Sequence, residues 1–140
     1  MAAIYESSSC RARTWASGAA IETIVTGRMD KGLALFMAAA CTEIIAKRGS
    51  VVGCHDWFGA PDYDPDYRKV WTDWLLKYRK SVTAIHVLTT SRFVRMGLNV
   101  ADLAIGGGLF GTGMLHVYSA RSEYEVARNK AMGARPELGT

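Results

Sequence analysis

Three histidines, His55, His86 and His116, stand out among the ionisable residues. Each falls in a short apolar segment of strand-like composition. Neighbouring parallel strands would draw the three imidazoles toward one another, and three imidazoles are a ligand set for zinc. Asp56 is the natural extra ligand. Metal sites, however, sit at strand ends, whereas His86 and His116 fall mid-strand. The expectation is of separate histidines packed under helices and of no metal, with Asp56 and His55 as the residues to inspect should one bind.

A second group is acidic. Asp56, Asp62, Asp64 and Asp66 crowd the C-terminal side of a predicted strand, the end at which ligands bind in open α/β sheets. Asp62-Tyr63-Asp64-Pro65-Asp66 is similar to the start of a calcium loop. It lacks the glycine of the sharp turn and a well-placed distal glutamate, and a helix begins inside it. Asp64 reads as a helix cap and Asp66 as a charge that complements the helix dipole.

Two further patterns fail on their order in the chain. Gly106, Gly108 and Gly111 satisfy GxGxxG. In a dinucleotide-binding fold such glycines follow a strand and open a helix. Here they follow a helix and lead into a strand, so they read as a connection. Cys54 precedes His55, but adjacent strand residues point to opposite faces and cannot form a dyad. With no GxSxG elbow either, no catalytic residue and no cofactor are expected.

These residues must be held by a chain of 140 residues, 49% apolar and 21% charged, which suits one folded domain. Cys10, Cys41 and Cys54 are an odd set without CxxC spacing and read as free buried thiols of a reducing compartment. The N-terminus lacks a signal-peptide pattern, and no apolar run approaches the roughly 20 residues of a membrane span. The expected location is the cytoplasm. The net charge of +4 is scattered, so no nucleic-acid partner is expected.

Residues 1–10 read as a flexible N-terminus, 11–131 as one domain and 132–140 as a flexible tail. Arg11–Ala16 and Ala20–Thr26 make a hairpin around Ser17-Gly18-Ala19. Asp30 caps a helix with apolar residues at Leu33, Phe36, Met37, Ala40, Cys41, Ile44 and Ile45, which ends in Lys47-Arg48-Gly49. Val51–Asp56 is a buried strand, followed by an aromatic loop, Trp57–Tyr63. Asp64-Pro65 opens a second helix. Val82–Thr89 is a strand, Ser91 caps a third helix that runs to about Ile105, and Met114–Tyr118 is the last strand. Ser122 and Glu125 form a capping box for a fourth helix. The order ββαβαβαβα predicts an α/β fold: a mixed, mostly parallel sheet with helices packed against it.

The third helix has only one narrow polar stripe: Arg92, Arg95, Asn99 and Asp102. Phe93, Met96, Val100 and Ala104 form one apolar face, and Val94, Leu98, Ala101 and Ile105 form another. One face must cover the sheet, which leaves the other over. The expected interaction surface is Val94, Leu98, Ala101 and Ile105, extended by Trp57 and Phe58 of the aromatic loop. Its occupant would be a neighbouring helix, a second copy of the chain in a homodimer, a protein partner or an apolar, lipid-like ligand.

Three local features add to the element order: IVTGRMDKGLALF, VVGCHDWFGAPDYDPDYRKVW and IHVLTTSRFVRMGLNVADL. The first is a strand ending in Gly before a helix. The second is a buried strand ending in Asp, an aromatic-Gly loop and an acidic helix start. The third is a strand running into an apolar helix. Together, over residues ~12 to ~130, they resemble the STAS domain in its SpoIIAA-like branch. In that family the anti-sigma-factor antagonists are switched by phosphorylation of a serine at the start of the helix after the third strand. Here Asp56–Trp71 contains no Ser or Thr, and Thr72 falls well inside the predicted helix. The resemblance therefore implies a non-catalytic regulatory or protein-interaction module without that switch. The alternatives are a binder of a small apolar or lipid-like ligand between sheet and third helix, and an enzyme of unrecognised type.

Overall fold

Gly18, in the left-handed region at φ 59°, turns the chain between β2 (Cys10–Ser17) and β3 (Ala20–Met29), which pair antiparallel. This hairpin opens a computed structural model that describes residues 2–104 and 114–135. Next comes α1 (Lys31–Arg48), closed at both ends by local chemistry. The Asp30 side chain accepts from the Leu33 N–H at 2.9 Å. Gly49, at φ 84°, donates its N–H to the Ile45 carbonyl.

The chain continues through β4 (Val51–Tyr63), α2 (Pro65–Tyr78), a 3-10 turn (Arg79–Ser81), β5 (Val82–Leu88), α3 (Arg92–Ala104), β6 (Leu115–Tyr118) and α4 (Arg121–Met132). With β1 (Ala3–Glu6) the strands form one sheet in the order β1-β2-β3-β4-β5-β6. The β1–β2 and β2–β3 pairs are antiparallel, and the three following pairs are parallel. The architecture is the mixed, mostly parallel α/β sheet that the element order predicts.

Strand alternation divides the interior into two layers. Ile21, Val25, Val51 and Val87 face one side, where Leu33 and Met37 of α1, Trp74 and Leu75 of α2 and Val94 of α3 cover them. Trp15, Ala20, Cys54 and Leu88 face the other, under Tyr124 and Met132 of α4. The Trp74 indole donates to the Thr42 hydroxyl at 2.9 Å, which ties α2 to α1. Cys10, Cys41 and Cys54 are buried and free. Burial pushes the thiols of Cys41 and Cys54 up to about 12.

Several boundaries differ from expectation. Residues 1–10 are not a loose arm: Ala3–Glu6 pairs with β2 from Ala3↔Thr14 to Glu6↔Arg11. The Tyr5 and Ser7 hydroxyls both donate to Asp30. At four residues, mostly exposed, the strand is at the lower limit of a readable alternation. Residues 57–63 are not a loop. They extend β4 along β3 through Thr26↔Gly59, Arg28↔Asp62 and Met29↔Tyr63, across two register shifts. Asp64 makes no side-chain cap to α2, because its carboxylate pairs with Arg28 at 2.9 Å. Ser122 and Glu125 form no capping box. Ala120 occupies the N-cap of α4, and Glu125 is held by Arg135 at 2.8 Å. That ion pair also anchors a residue of the segment read as a flexible tail.

Candidate functional site

The parallel strands leave a concavity on the layer that carries α1, α2 and α3. His55 and Trp57, two residues apart on β4, point to this face, as do Ile85 and Val87 of β5 and Leu115 of β6. Helix α2 supplies Tyr67, Arg68, Trp71 and Leu75, and α3 supplies Val94, Gly97, Leu98 and Ala101. Together they line a cavity of about 80 Å³ that opens to solvent. That volume is below the ~300–1,000 Å³ of sites for drug-sized molecules, so an occupant would be small or would extend into the mouth.

Two glycines set the shape of this cavity. A Cβ at Gly97 would run into the Tyr63 hydroxyl, so only glycine lets α3 approach β4 this closely. A Cβ at Gly53 would lie 2.7 Å from His55 Nε2, so Gly53 provides the space for the imidazole. The ring of His55 lies 5.4 Å from that of Trp57 and 5.9 Å from that of Trp71. Burial in this apolar wall, with a smaller contribution from His86, lowers its pKa to about 4. His55 is therefore neutral at physiological pH. The indole N–H of Trp71 is buried beside the Tyr67 hydroxyl.

The expected interaction surface is placed differently from its reading. Val94, at 2% exposure, is buried, Ala101 is buried and Leu98 is half-buried, and all three turn inward onto the cavity. Ile105 lies outside the described residues. The face left over on α3 is the other one: Phe93, Met96 and Val100 are exposed, joined by Leu103 at 75%. Trp57 and Phe58 do not extend one surface. As neighbours on a strand they diverge, Trp57 into the cavity and Phe58 onto the α4 side, 5.4 Å beneath the Arg121 guanidinium.

The same alternation separates the metal candidates. His55 faces the cavity, and Asp56 faces α4, where Arg121 holds it at 2.9 and 3.4 Å. His86 and His116 are register partners on the α4 side, stacked with ring centroids 4.9 Å apart. His86 Nδ1 shares a 2.9 Å hydrogen bond with the Tyr118 hydroxyl. Two histidines thus meet and the third is cut off from them by the sheet. In the acidic segment, Arg28 sits between Asp62 and Asp64 at 3.2 and 2.9 Å, and supplies the positive charge a calcium ion would have brought. Gly106, Gly108 and Gly111 lie outside the described residues. Thr72, the first Ser or Thr of α2, donates to the Arg68 carbonyl in the middle of the helix.

The largest cluster of ionic groups went unread in the sequence. Glu22 on β3 is fully buried and accepts from Arg128 Nε at 2.8 Å, from the Tyr124 hydroxyl at 2.6 Å and from Arg135 at 3.1 Å. Both carboxylate oxygens are thereby engaged. The available signal was a carboxylate inside the β-branched run AIETIVT, which must find a cation to be buried.

No family model matches the sequence, and no curated protein matches it. The fold matches the crystal structure of an uncharacterized protein of the DUF3478 family, with a SpoIIAA-like fold, from Shewanella loihica PV-4. The TM-score is 0.54, the identity is 11%, and 91% of each chain is covered. At that identity the likeness is one of fold. The protein has the SpoIIAA-like fold that the STAS resemblance implied.

Proposed function

We propose that this SpoIIAA-like domain is a non-catalytic binding module that takes a small apolar ligand between the sheet and α3. The observation that supports it is the cavity of about 80 Å³ walled by His55, Trp57, Trp71, Val94, Leu98 and Ala101. The non-catalytic part rests on the engagement of the buried carboxylates. Asp56 is bound by Arg121, and Glu22 by Arg128, Arg135 and Tyr124.

Trp57 and Trp71 in the cavity wall make the reading testable by intrinsic fluorescence. Titration with 1-octanol is expected to give a saturable change in wild type. The change should be lost in Ala101→Phe and Leu98→Trp, whose side chains fill the space, while far-UV circular dichroism is unaltered. A non-saturating response, or one that survives both folded variants, refutes the proposal.

A second reading, docking of a protein partner or a second copy of the chain, is favoured by the exposed apolar face of α3. Phe93, Met96, Val100 and Leu103 are at least 40% exposed on this one helix. If the face joins two copies, light scattering should report a dimer that Met96→Glu converts to a monomer. A wild-type monomer removes the self-association form of this reading.

A further inference from the structure

Among the described residues of the cavity wall Arg68 is the one cation, and the rest is mostly apolar with His55, Tyr63 and Tyr67. It stands on α2 one helical turn before Trp71, and both residues line the same space. The arginines nearest in role are paired with carboxylates: Arg28 with Asp62 and Asp64, Arg121 with Asp56, Arg128 with Glu22. Arg68 is half-buried and meets no carboxylate among the described residues. Beside it, the Trp71 indole N–H is buried next to the Tyr67 hydroxyl. The wall thus presents a guanidinium and an indole a turn apart on one helix, together with the polar groups of His55, Tyr63 and Tyr67.

We propose that the ligand is a medium-chain monocarboxylate, with its acid group on Arg68 and its alkyl body in the cavity. This rests on the reading of the cavity as an apolar ligand site and adds the chemistry of the head group. A guanidinium partly withdrawn from water gains most from a planar anion that accepts from two of its N–H groups at once, which a carboxylate does and a hydroxyl does not. A carboxylate also brings more lone pairs than Arg68 alone uses, which leaves an oxygen for a neighbouring donor of the wall. The wall formed by Val94, Leu98 and Ala101 with Ile85 and Val87 opposite is apolar and suits an alkyl chain. The neutral His55 adds no second charge to compete for the head group.

Octanoate and 1-octanol have the same chain length and differ in the head. Each is titrated against wild type, Arg68→Met and Arg68→Lys, with tryptophan fluorescence as readout at fixed ionic strength. The proposal expects octanoate to bind wild type at least tenfold more tightly than 1-octanol. Arg68→Met keeps the apolar stem and should lose that tenfold advantage without weakening 1-octanol. Arg68→Lys keeps the charge without the fork and should retain part of it. Equal binding of the two probes to wild type, or an octanoate advantage that survives Arg68→Met, overturns the carboxylate assignment and leaves the apolar site standing. Saturable binding of neither probe to wild type overturns both.

Discussion

The carboxylate of Glu22 and the guanidinium of Arg128, 106 positions apart, meet at 2.8 Å with both side chains withdrawn from solvent. The pair fastens α4 to β3 across the layer opposite the cavity. Arg135 and Tyr124 complete the carboxylate's shell, while Arg128 also donates to Asn129 Oδ1 and to the Gly133 carbonyl.

This asymmetry predicts unequal costs for breaking the pair. Removal of one partner of a buried ion pair costs about 3–5 kcal/mol, because the other charge is stranded. Arg128→Met leaves Glu22 with Arg135 and Tyr124 and should fall at or below the low end. Glu22→Gln strands Arg128, with no other carboxylate in contact among the described residues, and should reach the high end. Urea unfolding measures both, and an equal or inverted order would contradict the arrangement.

Gly97 predicts a reversal of sign. In an exposed helix interior, Gly→Ala stabilises by about 1 kcal/mol through propensity alone. At Gly97 the new Cβ meets the ring and hydroxyl of Tyr63, so α3 must move off β4. Overpacking of this kind costs about 1–3 kcal/mol. Gly97→Ala is therefore expected to destabilise, and to do so less in a Tyr63→Phe background. Additive effects of the two substitutions in a double-mutant cycle would argue against the contact.

His55 predicts an acid-side loss of stability. Burial between Trp57 and Trp71 lowers its folded-state pKa to about 4, against 6.5 for an unperturbed imidazole. Between these values the unfolded chain binds a proton that the folded chain refuses. Stability from this group is therefore intact above about pH 6.5, falls as the pH drops toward about 4, and is level below that. The full span is on the order of 3 kcal/mol. Urea unfolding across this window should show a shallower acid-side decline in His55→Gln than in wild type, and parallel curves would refute the assignment.

Of the fold, the parts set by short-range chemistry were legible. Asp30 caps α1 through the Leu33 N–H and Gly49 ends it in the left-handed region, and both signals act within four residues of the chain. The alternation of strands and helices sufficed for the mixed, mostly parallel sheet. Capping signals failed where a distant charge competed: Arg28 took Asp64 from α2, and Arg135 took Glu125 from α4.

The site was legible only as a location. That the third helix carried two apolar faces, and that a ligand could lie between it and the sheet, followed from a spacing of three and four residues. Which face turns inward did not follow, because both are equally apolar. Tertiary packing chose Val94, Leu98 and Ala101, because Gly97 lies between them and leaves room for the Tyr63 hydroxyl. The partners of Glu22 were likewise out of reach of local reasoning. A strand residue finds its counter-charge on whichever helix crosses above it, and that is decided by the order of strands in the sheet rather than by neighbours along the chain.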